Sequence, residues 1–253
     1  MIKTLFEQNA DGRYVPYLAT SLTSSADFKV WTLKLRDGIT FHDGAKFDAA
    51  AVKANLDASN GTQILTIGLA RSACTAGTNL GFYSNILKNT VIDPLTLQIN
   101  LHLANSEMPE TLYASGRAFM RSPAQFASST TCASSPVGTG PFKFVSYTSD
   151  ELIVAKNASY WRTDPNTNAA LPYLDKITFK NVKEGSQRAA AVRTGTLDAG
   201  MFTAGSEATF IKDLRLRKSV ATEYKSPVEY YPSLWLNQGK PGSPFANKNA
   251  RLA

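Results

Sequence analysis

The side chains best suited to chemistry in this sequence are two histidines and two cysteines: His42, His102, Cys74 and Cys132. Nucleophilic catalysis needs a base within reach of a nucleophile, and a metal site needs several ligands close together. The histidines are far apart along the chain, and neither a Cys-x-x-Cys pair nor a Gly-x-Ser-x-Gly string occurs. We therefore expect no catalytic residue, no metal ligand and no cofactor. His42 is expected to bond to a backbone group in a turn.

A second string to consider for chemistry is Gly138-Thr139-Gly140, because glycine-rich loops can bind phosphate groups. A phosphate-binding loop continues with Lys-Ser or Lys-Thr and leads into a helix. Here the string continues with Pro141-Phe142 and a predicted strand, Lys143 to Tyr147. The sequence does not favour a nucleotide site.

The composition is that of an ordinary globular protein, with 253 residues, 43% hydrophobic and 19% charged. The formal net charge is +7, but lysines and arginines are scattered in runs of at most two, which argues against a nucleic-acid-binding surface. No stretch of 18 apolar residues could span a membrane. The first residues contain no apolar segment typical of a signal peptide, so any export signal is expected outside this chain.

The stretch from Trp31 to Val52 combines several predicted elements. Trp31, Leu33 and Leu35 alternate with polar residues, which predicts a strand with one buried face. Turns are predicted at Asp37-Gly38 and Asp43-Gly44, with a short return strand from Ile39 to Phe41 between them. Asp48 precedes a run of alanines and is predicted to cap a helix.

This stretch resembles the signature of the family 5 extracytoplasmic solute-binding proteins of ABC importers. The family pattern is Trp-Thr-Phe-x-Leu-Arg, then Phe-His-Asp-Gly, then a helix that opens with Ala-x-Asp-Val. The matching residues here are Trp31 to Arg36, Phe41 to Gly44 and Ala49 to Val52. Ala51 departs from the pattern, because the family usually has Asp there.

Two further strings extend the resemblance over nearly the whole chain. The second string begins at Gly138 to Phe142, continues through a predicted hairpin with Glu151 to Lys156, and ends at Asn157 to Trp161. It matches the family pattern of Gly-Thr-Gly-Pro-aromatic, then a hairpin, then Asn-x-x-Tyr-Trp. Leu236-Asn237, Pro244-Phe245 and Asn249 to Arg251 match the family's segment that crosses into its second lobe. Between them, a strand from Leu174 to Val182, a helix from Ser186 to Arg193 that ends at Gly195, and a strand from Leu197 to Phe202 are predicted as a βαβ unit.

The resemblance implies an α/β fold of the type II, two-lobe, periplasmic-binding-protein-like kind. Only the first lobe is expected here, with a mixed sheet and an inserted α+β subdomain. Residues 1–5 and 136–236 would form the main subdomain, residues 6–135 the inserted one, and residues 237–253 the hinge and the start of a truncated second lobe.

The resemblance also implies a function. The chain would belong to the substrate-binding component of an ABC importer, which captures a solute, in first place a peptide, between two lobes and delivers it to the permease subunits in the membrane. The alternative ligands are a nickel chelate, an opine or an oligosaccharide. The protein would work outside the cytoplasm, in the periplasm or as a lipoprotein at the outer face of the membrane, and would not be an enzyme or bind nucleic acid.

The ligand-binding candidates that follow from the resemblance are Tyr230, Trp235, Asn237 and Tyr83. Tyr230 and Trp235 could equally be core residues of the last strand, since Trp and Tyr bury large apolar areas, and Asn237 could serve only the crossover turn. Tyr83 is the looser candidate, because the sequence around it matches the family poorly. A peptide-processing enzyme and a structural or adhesion fragment without a ligand remain competing hypotheses.

The two cysteines lie in loops rich in small residues and leave two alternatives. They are either separate free thiols or a bridge between the two loops. The oxidising compartment in which the resembled family works favours a Cys74–Cys132 disulfide.

Overall fold

The structure is a computed structural model, and its description covers residues 2–60, 83–113, 118–127, 134–202 and 205–216. The chain divides into two compact units, residues 1–181 and 182–253. Each unit is described separately below. The predicted subdomain boundaries at residues 6, 136 and 237 stay a prediction.

The first unit begins with short strands joined by a tight turn. Strands β2 (Phe6–Gln8) and β3 (Tyr14–Pro16) form an antiparallel pair. Gly12, with φ of +79°, lies in the turn between them and adopts a conformation that favours glycine. Strand β1 (Lys3–Thr4) pairs instead with the distant strand β8 (Phe119–Met120).

A four-stranded antiparallel sheet forms the centre of this unit. Its strands are β4 (Ala19–Ser24), β5 (Val30–Leu35), β6 (Ile86–Asp93) and β7 (Thr96–Leu101), in the spatial order β4-β5-β7-β6. The predicted alternation in β5 is confirmed, because Trp31, Leu33 and Leu35 are all buried. Strand β7 repeats the pattern with buried Leu97, Ile99 and Leu101, and the two strands share one core.

The predicted return strand from Ile39 to Phe41 is wrong. Strand β5 pairs with β4 on one side and β7 on the other, so neither edge is free for a third partner. Thr40 forms only an isolated bridge with Lys46. Ile39 and Phe41 are buried in the core instead, which explains the apolar residues of the segment without a strand.

Helix α1 (Ala49–Ser59) begins as predicted at Asp48. The Asp48 side chain accepts a hydrogen bond from the backbone N–H of Ala51, with Oδ1 2.8 Å from the nitrogen. Because this bond satisfies a free amide of the first turn, it stabilises the start of the helix. The turns before the helix also form, with Gly38 and Gly44 at φ of +73° and +87°. Ala49, Val52 and Leu56 of the helix are part of the core.

Shorter elements complete this part of the first unit. Helix α2 (Met108–Tyr113) contributes Met108 and Leu112 to the core. A 3-10 turn spans Pro123–Ala127. None of the helices in the described ranges combines the length and the apolar character needed to cross a bilayer.

A three-stranded antiparallel sheet ends the first unit. Strands β9 (Phe142–Tyr147) and β10 (Glu151–Lys156) confirm the predicted hairpin, and β11 (Lys176–Lys180) pairs with the other edge of β10. Every strand pair in the described residues is antiparallel. The parallel pairs that a mixed sheet requires are therefore not found in this part of the chain.

The described part of the second unit is helical. It contains helix α3 (Gly185–Thr194), a 3-10 turn (Gly205–Glu207) and helix α4 (Ala208–Arg215). Gly195 ends α3 in the left-handed conformation, at φ of +76°, as predicted.

The predicted strand from Leu197 to Phe202, and with it the βαβ unit, is wrong. The backbone N–H groups of Thr196 and Leu197 both donate to the carbonyl of Ala191, so the chain folds back on the helix end. The side chain of Arg188 donates to the carbonyl of Met201, 3.2 Å away. These contacts use backbone groups that a strand would need for pairing.

Candidate functional site

Most of the predicted site residues lie outside the described residues. Tyr230, Trp235 and Asn237 are among them, and their contact with a ligand stays a prediction. Cys74 and Cys132 also lie outside, so the predicted disulfide is untested.

Tyr83 is the one predicted ligand contact within the described residues. Its side chain is buried among core residues, and its hydroxyl has no hydrogen-bond partner in the part of the chain that the structure describes. Burial raises the pKa of the Tyr83 hydroxyl far above its usual range, so the group is neutral. The buried ring favours the core alternative, and a ligand contact by Tyr83 remains a prediction.

The first two signature strings meet at His42. Its backbone N–H donates to the carbonyl of Gly138, 2.9 Å away, and its ring lies against the same loop. Nδ1 accepts a hydrogen bond from the N–H of Gly138 at 3.4 Å, and therefore Nε2 donates to the carbonyl of Gly140 at 2.9 Å. The expectation of a backbone partner for His42 is confirmed. We call the contact of His42 with the Gly138–Gly140 loop the signature joint.

Further hydrogen bonds hold the two sides of the signature joint. Ser122 is fully buried, and its hydroxyl donates to Oδ2 of Asp43 at 2.5 Å. Asn157 is also buried, and its side-chain amide donates to the carbonyl of Gly140 at 3.1 Å. The joint therefore fixes the Asp43-Gly44 turn of the first signature string to the Gly138–Gly140 loop, which precedes the second sheet.

A second contact between the strings is a group of aromatic and cationic side chains. The hydroxyl oxygens of Tyr17 and Tyr160 are 2.5 Å apart, and the Tyr17 ring meets the Trp161 ring edge-on, with centroids 5.6 Å apart. Burial, followed by this hydrogen bond, raises the pKa of Tyr160. The Tyr160 hydroxyl is thus protonated at neutral pH.

Two arginines cover the rings of this group. The guanidinium of Arg36 lies 4.5 Å from the centroid of Trp161, and its Nε donates to the carbonyl of Tyr17. The guanidinium of Arg162 lies 5.0 Å from the centroid of Tyr17 and 3.6 Å from a carboxylate oxygen of Glu7. Cation–π contacts of this kind stabilise by about 0.5–2 kcal/mol each. The group therefore stabilises the fold through ring packing and charge pairing.

Sequence reasoning missed this aromatic and cationic group as a unit, although each residue was visible. Arg36 ends the first signature strand, Tyr17 lies in Val15 to Ala19, and Trp161 ends the Asn-x-x-Tyr-Trp string. Local periodicity does not show which distant strings touch. The sequence indicates these contacts through one signal, which is that all of these strings occur together in one chain.

The described residues contain no group of three or more His, Cys, Asp or Glu side chains placed to hold a metal ion. What the geometry does provide is a rigid connection between the two signature strings, through backbone bonds and stacked rings. Such a connection lets two packed parts move as one body, which a cleft-closing receptor requires of each lobe.

Comparison with known proteins places the chain in a family. The sequence model of the bacterial extracellular solute-binding proteins, family 5 (middle), matches residues 13–253. The glutathione-binding protein GsiB of Salmonella paratyphi A is 32% identical over 251 residues, covering 98% of this chain and 44% of that protein. The chain thus spans less than half the length of the curated relatives that it matches.

Solved structures share the fold. NikA from Brucella suis, in complex with Fe(III)-EDTA, is 29% identical with a TM-score of 0.62, covering 78% of this chain and 36% of that chain. The periplasmic binding protein DppA from Helicobacter pylori, in complex with peptide STSA, is 24% identical with a TM-score of 0.67, covering 86% and 43%. The predicted type II periplasmic-binding-protein-like α/β fold is confirmed by these likenesses. The chain belongs to the family 5 bacterial extracellular solute-binding proteins.

Proposed function

We propose that this chain is part of the substrate-binding component of an ABC importer, and that it captures a peptide outside the cytoplasm. The observation that carries the proposal is the match to a glutathione-binding protein over 98% of the chain, at 32% identity. Glutathione is itself a small peptide, and DppA was solved with a peptide. Both likenesses support a peptide as the ligand class.

The proposed partners are a peptide in a cleft between two lobes and the permease subunits in the membrane. The place of action is extracytoplasmic, as the family description states for its members, with a lipid anchor as one way to remain at the membrane. The proposed mechanism has no chemical step. The chain contributes a rigid surface, held together by the signature joint and by the stacked rings at Tyr17 and Trp161.

Ligand titration tests the proposal. The protein is expressed together with any coding sequence that flanks this chain at its source. It is then titrated calorimetrically with glutathione, di- and tripeptides, a nickel–histidine chelate, an opine and an oligosaccharide. We expect micromolar binding, about −8 kcal/mol, for a peptide. Saturable binding of the nickel chelate or the opine alone would replace the peptide assignment and leave the receptor role intact. No binding by any of the five would contradict the receptor role.

A metal chelate is the second candidate because of one specific likeness, the 29% identity to NikA, which was solved in complex with Fe(III)-EDTA. Titration with the free metal and with the preformed chelate separates the two metal species.

An assay of peptide hydrolysis with the bound peptide tests the absence of catalysis. Intact peptide after prolonged incubation is the expected result, and turnover would assign an enzyme instead.

A further inference from the structure

The signature joint requires one protonation state of His42. Nδ1 accepts from the N–H of Gly138, and only an unprotonated ring nitrogen can accept a hydrogen bond. Nε2 donates to the carbonyl of Gly140 at 2.9 Å, which neutral and protonated rings can both do. A proton on Nδ1 would point at the N–H of Gly138, and two N–H donors cannot form a hydrogen bond. Protonation would therefore break the contact between Nδ1 and Gly138.

Among the charged groups near His42, the Asp43 carboxylate favours a proton on the ring and raises the pKa of His42, but burial, the largest cause, outweighs it. Asp43 is the neighbouring carboxylate, but its Oδ2 accepts from Ser122 and its Oδ1 accepts from the N–H of Ala45. Lys143, on β9, acts against a second positive charge. Burial is the main cause that lowers the pKa of His42, and the bond to Gly140 opposes it in part.

We propose that the signature joint is an acid-sensitive contact, in which protonation of His42 releases the Gly138–Gly140 loop from the turn at Asp43 and loosens the link between the two signature strings. This acid-sensitive contact does not depend on which ligand is bound. If the proposed extracytoplasmic role is correct, the joint also links the rigidity of the lobe to the pH of the surroundings.

The direction of the effect follows from linkage. A histidine whose pKa is lower in the folded state than its usual value of about 6.5 binds more protons when unfolded. Its contribution to stability is therefore present above about pH 6.5 and is lost as the pH falls toward the folded-state pKa. Each unit of difference between the two states changes the folding equilibrium constant by about tenfold.

Denaturant unfolding of three proteins tests the proposal: the wild type, His42→Gln and His102→Gln. Glutamine can accept from Gly138 and donate to Gly140 but does not titrate. Between about pH 7.5 and about pH 5, we expect the folding equilibrium constant of the wild type to fall by a larger factor than that of His42→Gln. His102→Gln removes the other histidine, which is exposed, and should follow the wild type.

An NMR titration of the wild type gives a second reading that does not depend on the folding of His42→Gln. His102→Gln identifies which of the two imidazole signals belongs to His42. We expect the His42 signal to titrate below about pH 6.5 and the Gly138 amide to shift with the same midpoint. A His42 midpoint above that value, an indifferent Gly138 amide, or parallel pH curves for the wild type and His42→Gln would each overturn the proposal.

Discussion

Tyr17 and Tyr160 are 143 residues apart in the sequence, yet their hydroxyl oxygens are only 2.5 Å apart. Tyr17 precedes the first signature strand, and Tyr160 lies in the Asn-x-x-Tyr-Trp string. One hydrogen bond thus joins segments that the sequence shows only as separate motifs. Tyr17 is buried, and its hydroxyl interacts with Tyr160 and with the side chain of Arg162.

Tyr160→Phe should lower the free energy of unfolding by about 0.5–1.5 kcal/mol, because it removes one hydrogen bond of the buried Tyr17 hydroxyl, which keeps its interaction with Arg162. Tyr147→Phe is the matched control, since Tyr147 is 69% exposed on β9. Urea unfolding of the two variants and the wild type gives the comparison. Equal stabilities for Tyr160→Phe and Tyr147→Phe would mean that the hydroxyl pair contributes nothing.

The sequence predicted elements well where a local signal decides the structure. The alternation in β5, the Asp48 cap and the β9–β10 hairpin depend on neighbouring residues, and all three are confirmed. The partners of β5 could not be predicted, because periodicity reports which face of a strand is buried but not which strand lies beside it. The apolar residues Ile39 and Phe41 were consequently misassigned to a return strand.

The strand predicted from Leu197 to Phe202 failed for a different reason. Asp198, Ala199 and Gly200 in its centre are residue types that are depleted in strands. The end of α3 and the Arg188 side chain also take backbone groups that strand pairing would need. For the candidate site, the contact of His42 with a backbone partner was predicted, whereas the identity of that partner required the three-dimensional structure.

The side-chain amide of Asn55 provides a second long-range link. Its Oδ1 accepts from the N–H of Arg121 at 2.8 Å, and its Nδ2 donates to the carbonyl of the same residue at 2.8 Å. Asn55→Ala should lower the free energy of unfolding by about 1–3 kcal/mol, because it removes both hydrogen bonds between the Asn55 side chain and the backbone of Arg121. Asn166→Ala, at an exposed turn position, is the control and should change little. Urea denaturation measures both, and a loss no larger than the control's would refute the role of Asn55.

The N-terminal cap of α1 makes a third prediction. Asp48→Ala should destabilise by about 0.5–2 kcal/mol, since the first turn of α1 has no other acidic residue. Asp48→Asn keeps a side-chain oxygen in reach of the Ala51 N–H and should retain most of the stability. Thermal and urea unfolding give the difference. If the Ala and Asn variants lose stability equally, the carboxylate charge and not the hydrogen bond is responsible.

Gly200 gives a prediction for the second unit. A Cβ at this position would lie 2.9 Å from Cγ2 of Val192 and 3.3 Å from Cε2 of Phe202. Gly200→Ala should therefore cost about 1–3 kcal/mol through overpacking. Val192→Ala removes the closest atom and is the natural partner for a double-mutant cycle.

In that cycle, the double variant Gly200→Ala/Val192→Ala should be more stable than the sum of the two single effects predicts, with a coupling of about 0.5–3 kcal/mol. The reason is that the truncated side chain at residue 192 leaves room for the new methyl group. Chemical unfolding of the wild type, the two single variants and the double variant measures the coupling. Strict additivity would show that any loss in Gly200→Ala does not arise from its contact with Val192.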